Sequence, residues 1–503
     1  QREMSVRMAL GAGRARILRQ TMTESLLLSL MGGVVGLLLA WGVRNAIPRL
    51  LSDTWNPPAF SARFSWHIFA FAAGISLLTG LIFGLAPAWQ ATRVHVSSGL
   101  KDAGQTLTRR RRGLSGRVLV VMQVALSMLL VIGAGLFVQT LVRLGRTPLG
   151  FHSHNLLLFS VQLPETRYPG AANIPILQRA EEKLRAVPGV ESVTLVRIPL
   201  ISGSASNATF VPEGRDYKPD DRPSVLMNDV GNDFFRVFGV PILAGRGFNA
   251  GDTATSRTVA VVNESLARKF FPNANPVGRS FNAGRNHPIT IEIVGVCGDT
   301  KYYKLRKDAE PTYYALYKQK PNGISEATFA VATRMQGQSI VPSLRDAVRA
   351  VDRNLPLLDV RTQDEQIEAS LQHERIFASL TGAFGALALA LACIGIYGIM
   401  AYSVSQRTNE IGIRMALGAQ PQRVLRMVLG EASWMAAIGV AVGLGIALAL
   451  GRVVASLLYG VRANDPVTYM ISMMLLFLVA LGASWLPARR AARVDPMRAL
   501  RHE

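Results

Sequence analysis

Six stretches of this chain run without a single Asp, Glu, Lys or Arg: 25–43, 64–92, 118–142, 376–406, 432–451 and 466–488. The shortest holds 19 residues. A helix rises 1.5 Å per residue, so about 20 residues cross the roughly 30 Å of bilayer hydrocarbon. Core helices of soluble proteins seldom run that far uncharged, because one face meets water. The expectation is a bundle of six transmembrane helices. The overall hydrophobic share, 49%, does not by itself separate a membrane protein from a soluble one; its segregation does.

Between the third and fourth stretches the character changes. From Gly145 to Gln372 the chain is mixed, charged and rich in Pro and Gly. Apolar and β-branched runs at 155–163, 192–196, 258–262, 289–296 and 327–333 read as strands. Segments 174–187, 264–270, 340–352 and 363–375 read as helices. The fold class is therefore an α-helical transmembrane bundle with one large inserted α+β domain, built of two subdomains. The helix at 363–375 should run almost without a linker into the span that follows.

Of the net charge of +22, only +4 lies between Gly145 and Glu368, and +18 lies in the membrane portion. Arg is concentrated in 1–24, 93–117, 407–426 and the tail after 488, whereas 44–63 and 452–465 carry little. With six spans, the four Arg-rich segments share one side, which the positive-inside bias makes cytoplasmic. The inserted domain then lies outside. This placement accounts for a pI of 10.7 through membrane orientation and lipid contact, with no nucleic-acid partner. The two cysteines fall in different regions, Cys297 in the inserted domain and Cys393 in a span, so no disulfide and no zinc cluster is expected.

The chain also repeats itself. Arg7-Met8-Ala9-Leu10-Gly11-Ala12 recurs letter for letter as Arg414-Met415-Ala416-Leu417-Gly418-Ala419, an offset of 407. At that offset Glu3 matches Glu410, Arg16 matches Arg423, Arg19 matches Arg426 and Glu24 matches Glu431. Gly32 and Gly36 match Gly439 and Gly443. Each Gly-x-x-x-Gly pair permits close helix contact, so all four are expected in packing within the bundle. Glu24 and Glu431, at the cytoplasmic ends of their spans, are expected to pair with a nearby Arg. Further on, Pro87-Ala88 and Pro487-Ala488 match at an offset of 400. The first copy lacks an upstream span and outer domain corresponding to those before the second, which leads to the expectation that a longer parent chain precedes Gln1.

Physically, Glu410 to Leu417 is a short helix. Glu410 and Arg414 stand four apart in the favourable order, a gain of about 0.3–0.5 kcal/mol. Gly418 suits the helix end, and Pro421 the first turn of the next helix. Glu3, Arg7 and Gly11 repeat the pattern, with Arg14 in place of the proline. On charge alone such a basic elbow fits a protein partner or an anionic lipid surface equally well.

The run 406–419, QRTNEIGIRMALGA, resembles the signature of the MacB/FtsX-type permease family, as does the closing 486–496, LPARRAARVDP. The phrases 233–241 (DFFRVFGVP), 261–267 (VVNESLA), 275–278 (NPVG) and 293–296 (IVGV) resemble the MacB-like periplasmic core domain. The duplicated layout is similar to fused double permeases common in acidobacteria. The resemblance divides the chain into a cytoplasmic coupling segment (1–24), a first FtsX-like membrane unit (25–92), a basic linker (93–117), a transmembrane helix (118–142), the periplasmic core domain (143–375) and a second membrane unit (376–503) with its coupling segment at 404–426. It implies an ABC-type permease of the bacterial inner membrane. The elbows, with Glu3, Arg7, Gly11, Glu410, Arg414 and Gly418, would dock a cytoplasmic, dimeric ABC ATPase subunit and transmit its motion outward for export or efflux. A periplasmic adaptor or outer-membrane protein would be a further partner. The alternative is a signalling or cell-wall-regulating adaptor of the FtsX kind. No GxxxxGK[ST] phosphate loop or nucleophile elbow occurs in the sequence, so no enzyme activity and no cofactor are expected of this chain.

Overall fold

The computed structural model describes residues 14–43, 65–92, 105–284, 289–335, 337–455, 458–462 and 464–493. The chain divides into two compact units, 1–138 with 376–503, and 139–375. In chain order the helices begin with α1 (Arg14–Val43), α2 (Trp66–Thr92) and α3 (Gln105–Gly145). The second unit then runs β1 (Leu156–Gln162), α4 (Ile174–Arg185), β2 (Val190–Val196), β3 (Ser206–Pro212), β4 (Ser224–Val230), α5 (Phe234–Val237), β5 (Ile242–Gly245), β6 (Val259–Asn263), α6 (Glu264–Phe270), β7 (Ser280–Ala283), β8 (Ile289–Cys297), β9 (Thr312–Leu316), β10 (Glu326–Thr333), α7 (Gly337–Arg349), β11 (Leu358–Thr362) and α8 (Gln363–Ser370). The remaining helices are α9 (Gln372–Gln406), α10 (Thr408–Ala416), α11 (Pro421–Ala455) and α12 (Pro466–Ala491).

Among the described residues, five helices are long and apolar enough to cross a membrane: Met22–Gly42, Gly116–Gly145, Glu374–Gln406, Pro421–Gly451 and Pro466–Ala491. This corrects the expected six. The stretch 64–92 is helical as α2, but its described apolar part, Trp66–Ile82, is shorter than the other five.

Helices α3, α9, α11 and α12 share one apolar core. Val120 and Val124 of α3 meet Ala392, Ile396 and Met400 of α9, Val424, Val428, Ala432, Met435 and Ala436 of α11, and Ala480 and Ala488 of α12. Alanine and glycine at these contacts let the backbones close up, the usual means of packing where lipid supplies no hydrophobic drive. Helices α1 and α2 form a separate close pair. Ser29 donates to the carbonyl of Ser76 at 2.6 Å, and a Cβ on Gly33 or Gly80 would lie 2.5 Å from the facing serine hydroxyl.

The second unit is α+β, with an eleven-stranded sheet in two parts. An open antiparallel part runs β11-β1-β10-β2. Its core joins Phe159, Leu195 and Phe329 to Leu177 and Leu184 of α4 and Leu344 and Val348 of α7. The other part closes on itself, β4-β3-β7-β8-β6-β9 and back to β4, as a small barrel. Phe210, Val262, Phe281, Ile293 and Tyr313 fill it, and Leu266 and Phe270 of α6 join that core. The parts meet where β2 pairs β4, at the single register pair Val196 and Val230. Beside that junction the buried Asp229 pairs with Arg197 at 2.7 Å and with Lys320. The helix expected at 363–375 is interrupted: α8 ends at Ser370 and α9 starts at Gln372. A capping box, Thr362 with Glu365, fixes the start of α8.

Candidate functional site

The elbow between α9 and α11 is built by local rules. Helix α9 ends at Gln406, and α10 restarts two residues on. Arg414 donates to Glu410 at 2.6 Å across one turn, both side chains half exposed. The end of α10 is a Schellman cap. The Gly418 N–H donates to the Met415 carbonyl at 3.0 Å and the Ala419 N–H to the Arg414 carbonyl at 2.9 Å. Such a cap needs a left-handed residue, and Gly418 has φ +93°. Pro421 then opens α11 without wasting an N–H.

Two faces of α10 differ. Ile411, 1% exposed, is rooted in the core with Met400, Val424 and Val428. Ile413 and Leu417 point to solvent, Leu417 at 83% exposure. An apolar tip held outward beside a Glu–Arg pair is a poor place to leave large aliphatics unless something covers them. Arg423 and Arg426, one turn into α11, are exposed next to it.

Below the elbow, Glu431 receives two cations, Arg117 of α3 and Arg407 at 3.4 Å. With Met400, Val404, Ile411 and Val428, Arg407 and Glu431 line a tight crevice under α10. The ion pairs tie the elbow to the first helix of its bundle. Sequence reasoning placed a salt bridge at Glu431, yet nothing in the sequence marked Arg117 as the partner.

The glycine pairs are placed differently. A Cβ on Gly439 would lie 2.6 Å from Val124 Cβ, and one on Gly443 2.7 Å from the Ala125 carbonyl oxygen, so α11 lies directly on the α3 backbone there. A Cβ on Gly32 or Gly36 of α1 would meet nothing within 4 Å among the described residues. The α1–α2 contact runs through Gly33 instead, because Ser29 and Gly33 are the small residues turned toward Ser76 and Gly80. Glu3, Arg7 and Gly11 lie outside the described residues, so the first elbow has no geometry here. Among the described residues there is no His, Cys, Asp or Glu cluster that could hold a metal ion, and Cys297 and Cys393 are free thiols.

Besides Asp229, the second unit buries two further carboxylates, Glu181 and Asp252. Burial pushes the Glu181 carboxyl above its ordinary value, against the pull of Lys318, Arg185 and the Tyr317 hydroxyl that donates to it at 3.2 Å. Burial acts on Asp252 in the same sense. There the two-pronged Arg246, at 2.7 and 2.9 Å, and the Asn249 N–H win and hold the carboxyl below its ordinary range.

Comparison with known proteins bears on both units. The model of the FtsX-like permease C-terminal family matches twice, at residues 1–96 and 382–496, and that of the MacB-like periplasmic core domain matches 118–355. The macrolide export ATP-binding/permease protein MacB of Marinobacter nauticus is 27% identical over 330 residues, covering 63% of this chain and 48% of that protein. The pyoverdine export ATP-binding/permease protein PvdT of Pseudomonas aeruginosa is 29% identical over 279 residues, 53% of this chain and 41% of that protein. MacB of Rhodospirillum rubrum is 28% identical over 415 residues, 80% of this chain and 60% of that protein. The chain thus spans about half the length of the curated relatives it matches.

Proposed function

Because this chain belongs to the MacB/FtsX-type ABC permease family, we propose that it transmits the ATP-driven motion of a partner ATPase subunit across the membrane to its outer domain, in the service of export. It is a multi-pass inner-membrane protein with a large periplasmic domain. The observation that carries the reading is the α10 elbow, which roots Ile411 in the bundle and holds Ile413 and Leu417 out in solvent beside the Glu410–Arg414 pair. The apolar tip would seat in an ATPase groove, the charges would set its register, and Gly418 would fix its angle. A push on α10 enters α9 and α11 at their ends and reaches α3 through Glu431 and Arg117. By the repeat, Glu3, Arg7 and Gly11 would form a second handle, as a fused double permease of the acidobacterial kind requires. The chemistry of hydrolysis belongs to the partner.

The relatives' names carry different cargoes, a macrolide in one and pyoverdine in another. We therefore assign export as a class and no compound. The test is to purify the chain with the ABC ATPase subunit that accompanies it from its host and to measure turnover in proteoliposomes. Leu417→Asp and Ile413→Asp should lower the stimulated rate by about tenfold or more, equivalent to about 1.4 kcal/mol, while the basal rate of the free ATPase stays put. Undiminished stimulation in both variants would overturn the elbow's role. Stimulation that no exported compound alters, together with a periplasmic hydrolase bound to the outer domain, would replace export by the adaptor reading.

A further inference from the structure

The second unit includes the outer ends of two spans, residues 139–145 of α3 and 372–375 of α9. The charge-free runs 118–142 and 376–406 stop at Arg143 and Arg375, which places those two residues at the outer limit of the hydrocarbon. The loop between β8 and β9, residues 298–311, is tied to both ends. The Lys301 N–H donates to the Leu149 carbonyl at 2.9 Å, and Arg306 pairs with Glu374 at 2.8 Å. A Cβ on Gly150 would lie 2.1 Å from the Asp299 carbonyl oxygen, so the two backbones touch there. The loop is thereby held where headgroups begin.

The acids of this edge are engaged. Asp308 takes Lys301 at 3.2 Å, Glu310 takes Lys307 at 3.4 Å, and Glu368 lies 3.7 Å from Arg375. Asp299 accepts from Asn263 and Ser265. In α8, Glu365 closes its own cap and Asp364 faces His154. By contrast, Arg146 and Lys304 are exposed and pair with no carboxylate among the described residues. The Lys304 ammonium lies 5.9 Å from the centre of the Tyr303 ring.

We propose that this edge of the outer domain binds the phosphates of anionic phospholipids in the outer leaflet, through Arg146 and Lys304, with the Tyr303 ring in the interfacial zone. It rests on the outward placement of this domain. Both cations stand within a few residues of a segment fixed to a span end, which is the depth of the phosphates. Long basic stems and a tyrosine ring are the side chains that this layer favours. A protein partner fits less well. Tyr302 and Leu305 are buried, so the loop offers no large apolar centre for an interface to cover.

The full chain is reconstituted in nanodiscs of phosphatidylcholine, with or without phosphatidylglycerol, and hydrogen exchange is followed in peptides from 298–311. Phosphatidylglycerol should slow exchange there by about fivefold, the effect of one basic contact with an anionic surface. Lys304→Gln with Arg146→Gln should abolish the difference, and Lys304→Arg should keep it. These side chains are exposed, and unchanged exchange in the β1 and β10 peptides checks that the domain stays folded. Inorganic phosphate added to phosphatidylcholine discs should not reproduce the protection. The proposal is overturned if phosphatidylglycerol leaves the loop unchanged or if the double variant still responds. It is equally overturned if free phosphate protects as well as the lipid does, which would make this a site for a soluble anion.

Discussion

Arg117 of α3 donates to the Glu431 carboxylate of α11, joining residues 314 apart in sequence at the base of the bundle. Arg407, just after α9, reaches the same carboxylate. One acid thus holds three segments at the point where the elbow begins. Neither cation is fully buried, so the attraction is screened, and its worth lies in fixing geometry as much as in energy.

Glu431→Ala should lower the stability of the detergent-solubilised chain by about 1 kcal/mol, since it leaves two guanidinium groups facing each other. Arg117→Ala in the same background should add little, because the partner is already gone. The coupling between the two, about 0.5 kcal/mol or more, is read from a double-mutant cycle of unfolding midpoints. Strict additivity would mean that the bridge does not form.

The two glycine pairs should respond oppositely. Gly443→Ala places a methyl 2.7 Å from a backbone oxygen of α3, which cannot swing aside. It should destabilise by about 1–3 kcal/mol. Gly32→Ala meets open space and should be neutral or stabilising by up to about 1 kcal/mol. Thermal unfolding of both variants, followed by intrinsic Trp fluorescence, decides it.

Gly418→Ala forces a Cβ into the left-handed region and should loosen the end of α10, at a cost of about 1 kcal/mol. Gly418→Asn should fall between it and wild type, because Asn tolerates that region better. Hydrogen exchange at the Gly418 and Ala419 positions, the two N–H groups of the cap, reports the effect directly.

Glu181 gives a pH signature. Its carboxyl titrates above the ordinary 4.5 in the folded domain. The folded state therefore favours the protonated form. The stability this contributes is full below about pH 4.5 and is lost as pH rises through the raised value. Glu181→Gln keeps an acceptor for Tyr317 and removes the charge. Its α4 amides should match wild type in hydrogen exchange at pH 4 and be better protected at pH 7.5. Equal protection at both pH values would show that burial does not penalise this carboxylate.

The sequence announced its membrane helices through missing charge, and a charge-free helix of that length has few alternatives. The same rule counted 64–92 as a sixth span, of which Trp66–Ile82 is the described apolar helix. In the outer domain, β1, β6, β8 and β10 were visible as apolar or β-branched runs. Strand β4 was not, because Asn228 and Asp229 sit within it. Both are buried, Asn228 bonded to the backbone of Ile198 and Asp229 paired to Arg197 and Lys320. Strand β3, starting Ser206-Asn207-Ala208-Thr209, likewise takes its place from its neighbours β4 and β7 and not from its own apolarity. At the elbow, the Glu410–Arg414 pair and the Gly418 cap were legible because both obey local spacing. The Arg117 bridge was not, since it depends on how two distant helices come together.

The junction at Val196 and Val230 has a mechanical consequence. Two plates, each with its own closed interior, are fastened by a narrow pin, with Asp229 and its cations as the rivet beside it. Asn228 adds two bonds to the backbone of Ile198 across the same seam. A torque on either plate is therefore borne by a few polar bonds of β2 and β4, while Phe210 and Phe329 sit in separate apolar interiors.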